Sequence, residues 1–359
     1  MNRIFASTLT AAAAVAFLAS PAFAQAPAAA VKAAAASGTT AVPRTADGHP
    51  DLSGVFTNVT TVPMARPANC GAKEFYTAED IAAGLGGARG CAQPGAAPAG
   101  RGGAGGGRGG AAAGRGAAAN IDPETGLPAL QVHYDTSQFG LSGNTIVRST
   151  SMRTSIITGP DGKLPPLTAE AQKRQADRRA FTAAHQWDGP ETRPIGERCI
   201  SWPGEGPPMM SEGYNSNVQI VQGESYVGVL QEMIHDFRMI PTNGGPVALP
   251  DSVHQWFGSS RGHWEGDKLV VVTTNYTDKT QIQNTPTSDK LKVTEKFSRI
   301  DPKNVLYEFT VDDPGTWTQP WSGEVTWTKI DSPIYEYACH EGNYGMANNL
   351  SGARATEKK

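Results

Sequence analysis

The chain has no long apolar run. Its one early run, Leu9 to Leu18, is too short to anchor it in a bilayer, and no later stretch is apolar for long enough to cross one. It has little net charge, −3 over 359 residues, which argues against a generic electrostatic grip on DNA or anionic lipid. It is poor in cysteine: the four residues form no CxxC pair, so neither a thiol-redox motif nor a zinc ribbon is supported. HExxH, an EF-hand loop and a P-loop are also missing. So is any strand–helix alternation, which argues against Rossmann and TIM architectures.

What is there begins with an export pattern. Arg3 supplies a positive start, the short alanine-rich run follows, and Ala22-Phe23-Ala24 is a small-x-small cleavage signature with Gln25 as the expected mature start. Residues 1–24 therefore read as a signal peptide, and the product as periplasmic or secreted. With no cysteine directly after the site, neither a lipid nor a stable membrane anchor is expected. Four cysteines, Cys70, Cys91, Cys199 and Cys339, then meet an oxidising compartment, where an even number suggests disulfides in one of three connectivities. Cys70–Cys91 would close a short loop. Cys199–Cys339 would tie the entry of the β-region to its last strand. Free buried thiols are the alternative, which spacing alone does not exclude.

Composition divides the remainder. Residues 25–43 are mostly Ala, Pro and Thr, a flexible leader. Residues 44–83 form an N-terminal segment expected to pack on the main domain, with a short strand near Leu52, Val55 and Val59 and a capping box from Thr77 to Asp80. Residues 84–119 are nearly all Gly, Ala, Pro and Arg and lack the side chains to build a core. Their Arg101-Gly102-Gly103 and Arg108-Gly109-Gly110 resemble RNA-binding boxes, but in an exported chain they read as a solvated insertion, so no nucleic-acid partner is expected. Residues 120–359 are the main β domain. A helix is expected from Thr168 to Ala184. From Asn217 onward short period-two segments alternate with tight turns: Asn217–Gln222, Tyr226–Ile240 (bent, or two strands), Arg261–Trp264, Lys268–Thr274, Leu291–Ser298, Val305–Val311, Val325–Ile330 and Ile334–Cys339. The fold class is mainly β, an antiparallel C-terminal meander closing into a calycin-like barrel, or a sandwich, with a few short helices and long loops.

Candidate chemistry is sparse. Gly258-Ser259-Ser260-Arg261-Gly262 matches G-x-S-x-G but lacks the strand-to-helix setting of a serine nucleophile, and reads as a β-turn. His235-Asp236 and His340-Glu341 are adjacent pairs pointing to opposite faces of a strand, and so do not chelate; no metal site and no cofactor are expected. The segment around His235 says more. Taken as one strand, it places Val227, Val229, Gln231, Met233, His235, Phe237 and Met239 on one apolar face, and Glu232, Asp236 and Arg238 on the other, partly solvated face. The apolar face looks like the wall of a ligand pocket, with His235 as a candidate general acid or base. Gln231, Met233, Phe237, Tyr307, Tyr335 and Tyr337 are the candidate ligand-binding residues. A buried neutral histidine bonded to a carbonyl is the bland alternative for His235. The aromatics Trp256, Trp264, Trp317, Trp321 and Trp327 suit stacking on a ligand or, more simply, a core.

Three stretches carry a resemblance: Glu232 to Pro241 (EMIHDFRMIP), Gly262 to Asp278 (GHWEGDKLVVVTTNYTD), and Tyr335 to Tyr344 (YEYACHEGNY) followed by Leu350 to Arg354. With Arg44 to Val55 as the usual mature start, they are similar to a large, mostly uncharacterised family of exported proteins from environmental bacteria. The resemblance covers about 44–70 and most of 190–354. It implies no catalytic residue.

The sequence thus points to an exported protein binding a small, largely apolar or aromatic molecule in a β-barrel pocket. A periplasmic lyase, isomerase or hydrolase using His235 is one alternative; a structural envelope protein without a pocket is the other. Nothing in the sequence fixes an oligomeric state. N-terminal sequencing of exported protein is expected to start at Gln25; a start at Met1 in a membrane fraction contradicts the export reading.

Overall fold

Alternating apolar and polar residues make the later part of the chain a succession of strands. The computed structural model describes residues 41–60, 62–83, 85, 90–91, 152–159, 161–210, 215–242, 249–250 and 252–357. The expected signal peptide, nearly all of the leader and most of the Gly/Arg insertion lie outside them. Among the described residues the strands are β1 (Gly54–Thr57), β2 (Asn217–Gln222), β3 (Tyr226–Gln231), β4 (Phe237–Pro241), β5 (Ser259–Glu265), β6 (Lys268–Thr274), the short pair β7 (Gln281–Ile282) and β8 (Thr285–Pro286), β9 (Lys292–Arg299), β10 (Asn304–Asp312) and β11 (Trp321–Lys329). The α-helices are α1 (Ala78–Ala82), α2 (Ala169–His185) and α3 (Tyr344–Glu357).

Nine strands form one antiparallel sheet in the order β4-β3-β2-β1-β11-β10-β9-β6-β5. The sheet curls until its two edge strands, β4 and β5, lie side by side, giving a nearly closed barrel rather than a sandwich. β1 is the linchpin of the topology. It pairs with β2 on one side and β11 on the other, so the N-terminal segment joins two meanders. Period two then sorts the side chains. Val293 and Phe297 of β9, Val305, Tyr307 and Phe309 of β10, and Val325 and Trp327 of β11 all turn inward and are buried. Tyr307 stacks on Trp327 at 4.7 Å, and Phe297 meets the same indole edge-on at 5.7 Å. Each such side chain contributes about 1.5–3 kcal/mol by leaving water. The interior around Tyr307 is therefore core, with Tyr307 itself fully buried.

Local signals hold where a cap or a turn dictates them. The Thr77 amide donates to Asp80 Oδ2 and the Asp80 amide to Thr77 Oγ1, the expected capping box. The Thr168 hydroxyl caps α2 by accepting from the Ala171 amide at 3.0 Å. β5 and β6 meet at a turn where Gly266 adopts φ 60°.

Three expectations are corrected. The first is the facing drawn from one continuous strand: of the two readings of Tyr226–Ile240, the structure has two strands, β3 and β4, joined by a tight turn in which Ile234 and His235 have φ of 55° and 62°. The Gln231 amide closes this hairpin on the Asp236 carbonyl. The turn consumes residues that a continuous strand would have used for alternation, so facing inverts beyond it. Val227 and Val229 face in from β3, while their β4 partners Ile240 and Arg238 face in rather than Phe237 and Met239. Second, Gly258 to Gly262 is not a turn. It enters β5, with Ser260 paired to Thr273 of β6. Third, Ile334–Cys339 forms no strand. Both sides of β11 are already occupied by β10 and β1, so the sheet has no edge there to receive another. The tail is held instead by the Cys199–Cys339 disulfide, which spans 140 residues and contributes on the order of 2–4 kcal/mol by restricting the unfolded chain. The other cysteines also pair, Cys70 with Cys91. The helix α3 beyond the tail is unexpected from the sequence, because it has no apolar face and no buried residue. Arg354 fixes it by donating to the Trp187 and Asp188 carbonyls just past the end of α2.

The inversion after the β3–β4 turn puts a charge inside the barrel. Arg238 donates bidentately to Glu295 of β9 at 2.8 and 3.0 Å, and the Glu295 side chain is fully buried. The Tyr307 hydroxyl donates to Glu295 at 2.9 Å and accepts from the Met209 amide at 2.8 Å. Burial works against the Arg238 charge, but the Glu295 carboxylate more than offsets it and holds the guanidinium above its ordinary value. The same burial pushes the Tyr307 and Tyr276 phenols well up, so both are neutral donors. Glu295→Ala is expected to cost about 3–5 kcal/mol in urea denaturation, because it strands a buried guanidinium. The double substitution Arg238→Met with Glu295→Leu is expected to cost less than Glu295→Ala alone. A double variant less stable than the single would contradict this assignment.

Candidate functional site

The barrel's two edge strands do not meet evenly. At one end β5 carries Gly262, where an added Cβ would lie 3.1 Å from Ile240 and 3.2 Å from Thr242, so β4 and β5 pack closely and only glycine fits without displacement. Farther along they part, and a cleft of about 580 Å³ opens between Asp236–Met239 of β4 and its turn, Ser259–Arg261 of β5, and the loop that delivers β5. That volume lies within the range of small-molecule sites. Ile200, next to the Cys199–Cys339 bridge, also lines it.

The walls are set by local geometry. The loop before β5 brings Trp256 and Phe257 to the cleft. It is fastened from β6 outward: the Gln255 amide donates to the Asn275 carbonyl, the Thr277 amide donates to the Gln255 carbonyl, and the Thr280 hydroxyl donates to the Trp256 carbonyl at 3.0 Å. Asn275 Nδ2 donates back to the carbonyls of Pro250 and Val253. Gly258 lets this loop enter β5. Its φ is 65°, and a Cβ there would lie 2.5 Å from the Thr274 carbonyl. On the opposite wall Phe237 and Met239, turned outward by the inverted facing, are 51% and 59% exposed. Ser260 is buried and bonded to Thr273 Oγ1 at 2.9 Å, which leaves it a structural hydroxyl.

Two charged groups of β4 and its turn share the cleft. Asp236 and Arg238 are two residues apart in extended backbone and so point to the same side. The Arg238 side chain is about nine-tenths buried, and while its terminal nitrogens serve Glu295, its buried Nε–H has no acceptor among the described residues. Burial pushes the Asp236 carboxyl above its ordinary range, against the opposing pull of the Phe237 amide and the Arg238 charge. The Phe237 amide donates to one Asp236 oxygen at 3.1 Å.

Most residues singled out in the sequence lie elsewhere. His235 is not on an interior wall. It sits exposed at the tip of the β3–β4 turn, because the strand ends before it. Gln231 and Met233 are buried and line a void of about 10 Å³ with Asn58 and Asn217, too small for an organic ligand. Tyr307 belongs to the core. Tyr335 is 65% exposed and Tyr337 partly buried on the irregular tail. The tail does reach the turn. Glu232, buried beside His235, is pushed up by desolvation, and bonds from Asn217 and from the Tyr335 backbone only partly counter this. Of the proposed ligand-binding residues, Phe237 alone lines the cleft. A single continuous strand places Asp236 and Arg238 on the partly solvated face; the β3–β4 turn reverses this. Its sequence signal was weak, since it contains neither Gly nor Asn. Among the described residues there is no cluster of His, Cys, Asp and Glu able to hold a metal ion, and no helix is long and apolar enough to cross a membrane. No protein-family model and no curated protein sequence matches this chain.

His235→Ala is expected to change stability by less than about 0.5 kcal/mol in thermal denaturation, as for other exposed positions. A loss above about 2 kcal/mol would show that the imidazole is built into the fold.

Proposed function

We propose that this chain is an exported binding protein for a small, largely apolar or aromatic molecule, held in the seam cleft between β4 and β5 rather than in the barrel's centre. The observation that carries this reading is the cleft itself: about 580 Å³, with Phe237 and Met239 exposed on one wall and Trp256 and Phe257 on the other. Apolar side chains gathered beside a concavity with a few polar groups are the usual make-up of a ligand site. Pinning of the Trp256 loop by Asn275 and Thr280 supports a site formed before the ligand arrives, which reduces the ordering cost of binding. The two disulfides support residence in an oxidising compartment. The Ala22-Phe23-Ala24 signature makes the periplasm the proposed one.

The fluorescent probe 8-anilinonaphthalene-1-sulfonate tests the site without knowledge of the natural ligand. It is expected to bind the intact protein saturably at one site. The pair Phe237→Ser and Met239→Ser is expected to weaken that binding at least tenfold with little change in melting temperature. Phe181→Ser, which removes an apolar side chain 56% exposed on α2, is expected to leave it unchanged. Saturable binding that ignores the β4 pair, or no saturable binding, would return the protein to the structural reading.

A further inference from the structure

We propose that a second binding site lies between α2 and the β7–β8 hairpin, and that it takes a small polyhydroxylated anion, a sugar acid or sugar phosphate, with the charged group on Arg178 and Arg179. A cavity of about 370 Å³ opens there, lined by Gln175, Arg178, Arg179 and Thr182 of the helix and by Gln281 and Asn284 of the hairpin. None of these residues lines the seam cleft. The volume suits a small organic ligand. Residues 175, 178, 179 and 182 follow the spacing i, i+3, i+4, i+7 and so form one stripe along α2. A stripe turned toward the body of a protein is ordinarily apolar. This one has no apolar member, and Ala171 is the one buried residue of the helix. Polar bonds hold α2 in place instead. The Thr168 hydroxyl donates to the Gly315 carbonyl, Arg174 to the Gly315 carbonyl and Thr316 Oγ1, and Arg178 to the Asp278 carbonyl at 3.2 Å. The opposite wall is equally fixed. Gln283 and Asn284 take φ of 49° and 63°, as a tight two-residue turn requires, and the Thr287 amide and hydroxyl both donate to the Thr280 carbonyl at the hairpin's base. Ile282 is buried, so alternation turns Gln281 away from the core and into the cavity lining.

The charges here do not balance. Lys173, Arg174, Arg178 and Arg179 of α2 face only Glu170 and Asp177 on the same helix. Lys173 takes Asp177 at 2.6 Å, and Glu170 lies 3.9 Å from Arg174. On the loop before the hairpin, Asp278 and Lys279 offset each other. Arg178 spends one nitrogen on the Asp278 carbonyl, and Arg179, exposed, has no acceptor among the described residues. Burial pulls the Arg178 guanidinium below its ordinary value; Asp278 opposes this and the neighbouring Arg174 adds to it. Among the described residues no acidic side chain lines the cavity. The site is therefore short of one negative group. Two guanidinium forks match a carboxylate or a phosphate. The amides of Gln175, Gln281 and Asn284 and the Thr182 hydroxyl each donate and accept, which suits neighbouring hydroxyl groups. An acyl chain or an aromatic ring would find no apolar wall, since the lining holds no aromatic side chain.

Calorimetric titration of the intact protein at low ionic strength with glucuronate, glucose 6-phosphate, glucose and inorganic phosphate tests the site. At least one of the two anionic sugars is expected to bind saturably at one site, about tenfold or more tighter than glucose, because a hydrogen bond to a charged group is worth roughly that factor. Inorganic phosphate is expected to bind more weakly than glucose 6-phosphate. Added salt is expected to weaken the binding. Arg179→Gln is expected to weaken it about tenfold or more with no change in melting temperature, since the side chain is exposed and holds nothing in the fold. Gln281→Ala is expected to weaken the anionic sugar without affecting inorganic phosphate. The Phe237→Ser, Met239→Ser pair is expected to leave all of these affinities unchanged, which separates this site from the seam. Failure of both anionic sugars to bind saturably, or binding that is indifferent to Arg179→Gln, would overturn the proposal. Glucose binding as tightly as the anionic sugars, or inorganic phosphate as tightly as glucose 6-phosphate, would overturn it too.

Discussion

A buried ion pair braces this barrel beside the close packing of β5 on β4 at Gly262. β4 and β5 are the free edges of the sheet, and no ladder of backbone hydrogen bonds joins them. Arg238 reaches instead from β4 across the interior to Glu295 on β9, two strands in from the opposite edge. Removing two charges from water is expensive, and the attraction between them offsets this only when geometry and further hydrogen bonds are good. Here the pair is bidentate, and Tyr307 donates to the same carboxylate. The Tyr307 ring is in turn stacked on Trp327, so the polar contact is embedded in the aromatic core. Closure by side chains leaves the seam free to gape where β4 and β5 diverge, which a continuous ladder would forbid.

The β3–β4 turn is the condition for that pair. Ile234 and His235 both adopt positive φ, a conformation that costs a non-glycine residue about 1–3 kcal/mol. The result is a change of parity. Arg238 goes inward to Glu295, and Phe237 and Met239 go outward. The side chains that a straight strand would bury become the exposed wall of a cleft. Structure and proposed function therefore share one origin: the same turn that delivers the arginine to the core delivers the apolar residues to the seam.

Much of the architecture was legible in the sequence. β5, β6, β9, β10 and β11 lie where strands are expected, β10 alternating throughout; the β5–β6 turn is marked by Gly266, and the caps at Thr77 and Thr168 carry their usual residues. The two disulfides join the cysteines that loop position suggested. The site was less legible, and the reason is parity. Alternation is read outward from a known strand, and an unmarked turn reverses every assignment beyond it. Unbroken alternation places His235 in the interior and Asp236 and Arg238 toward solvent, whereas the turn leaves His235 exposed and buries Arg238. The tail from Ile334 to Cys339 misled differently. Its composition suits a strand, but whether a strand forms depends on a free sheet edge, and β1 had taken that edge. No local pattern contains that information. Helix α3 illustrates the reverse case, a helix without an apolar face that is held by contacts of Arg354 with a distant loop.

Amide chemical-shift mapping with 1-naphthol tests most directly whether the seam is where this protein meets its ligand. The account predicts shifts confined to Asp236–Met239, the Gln255–Gly258 loop and Ser259–Arg261, with the ladder between β10 and β11 unmoved. Shifts centred on Tyr307 and its neighbours in the barrel interior, or spread over α2 instead of the seam, would contradict it.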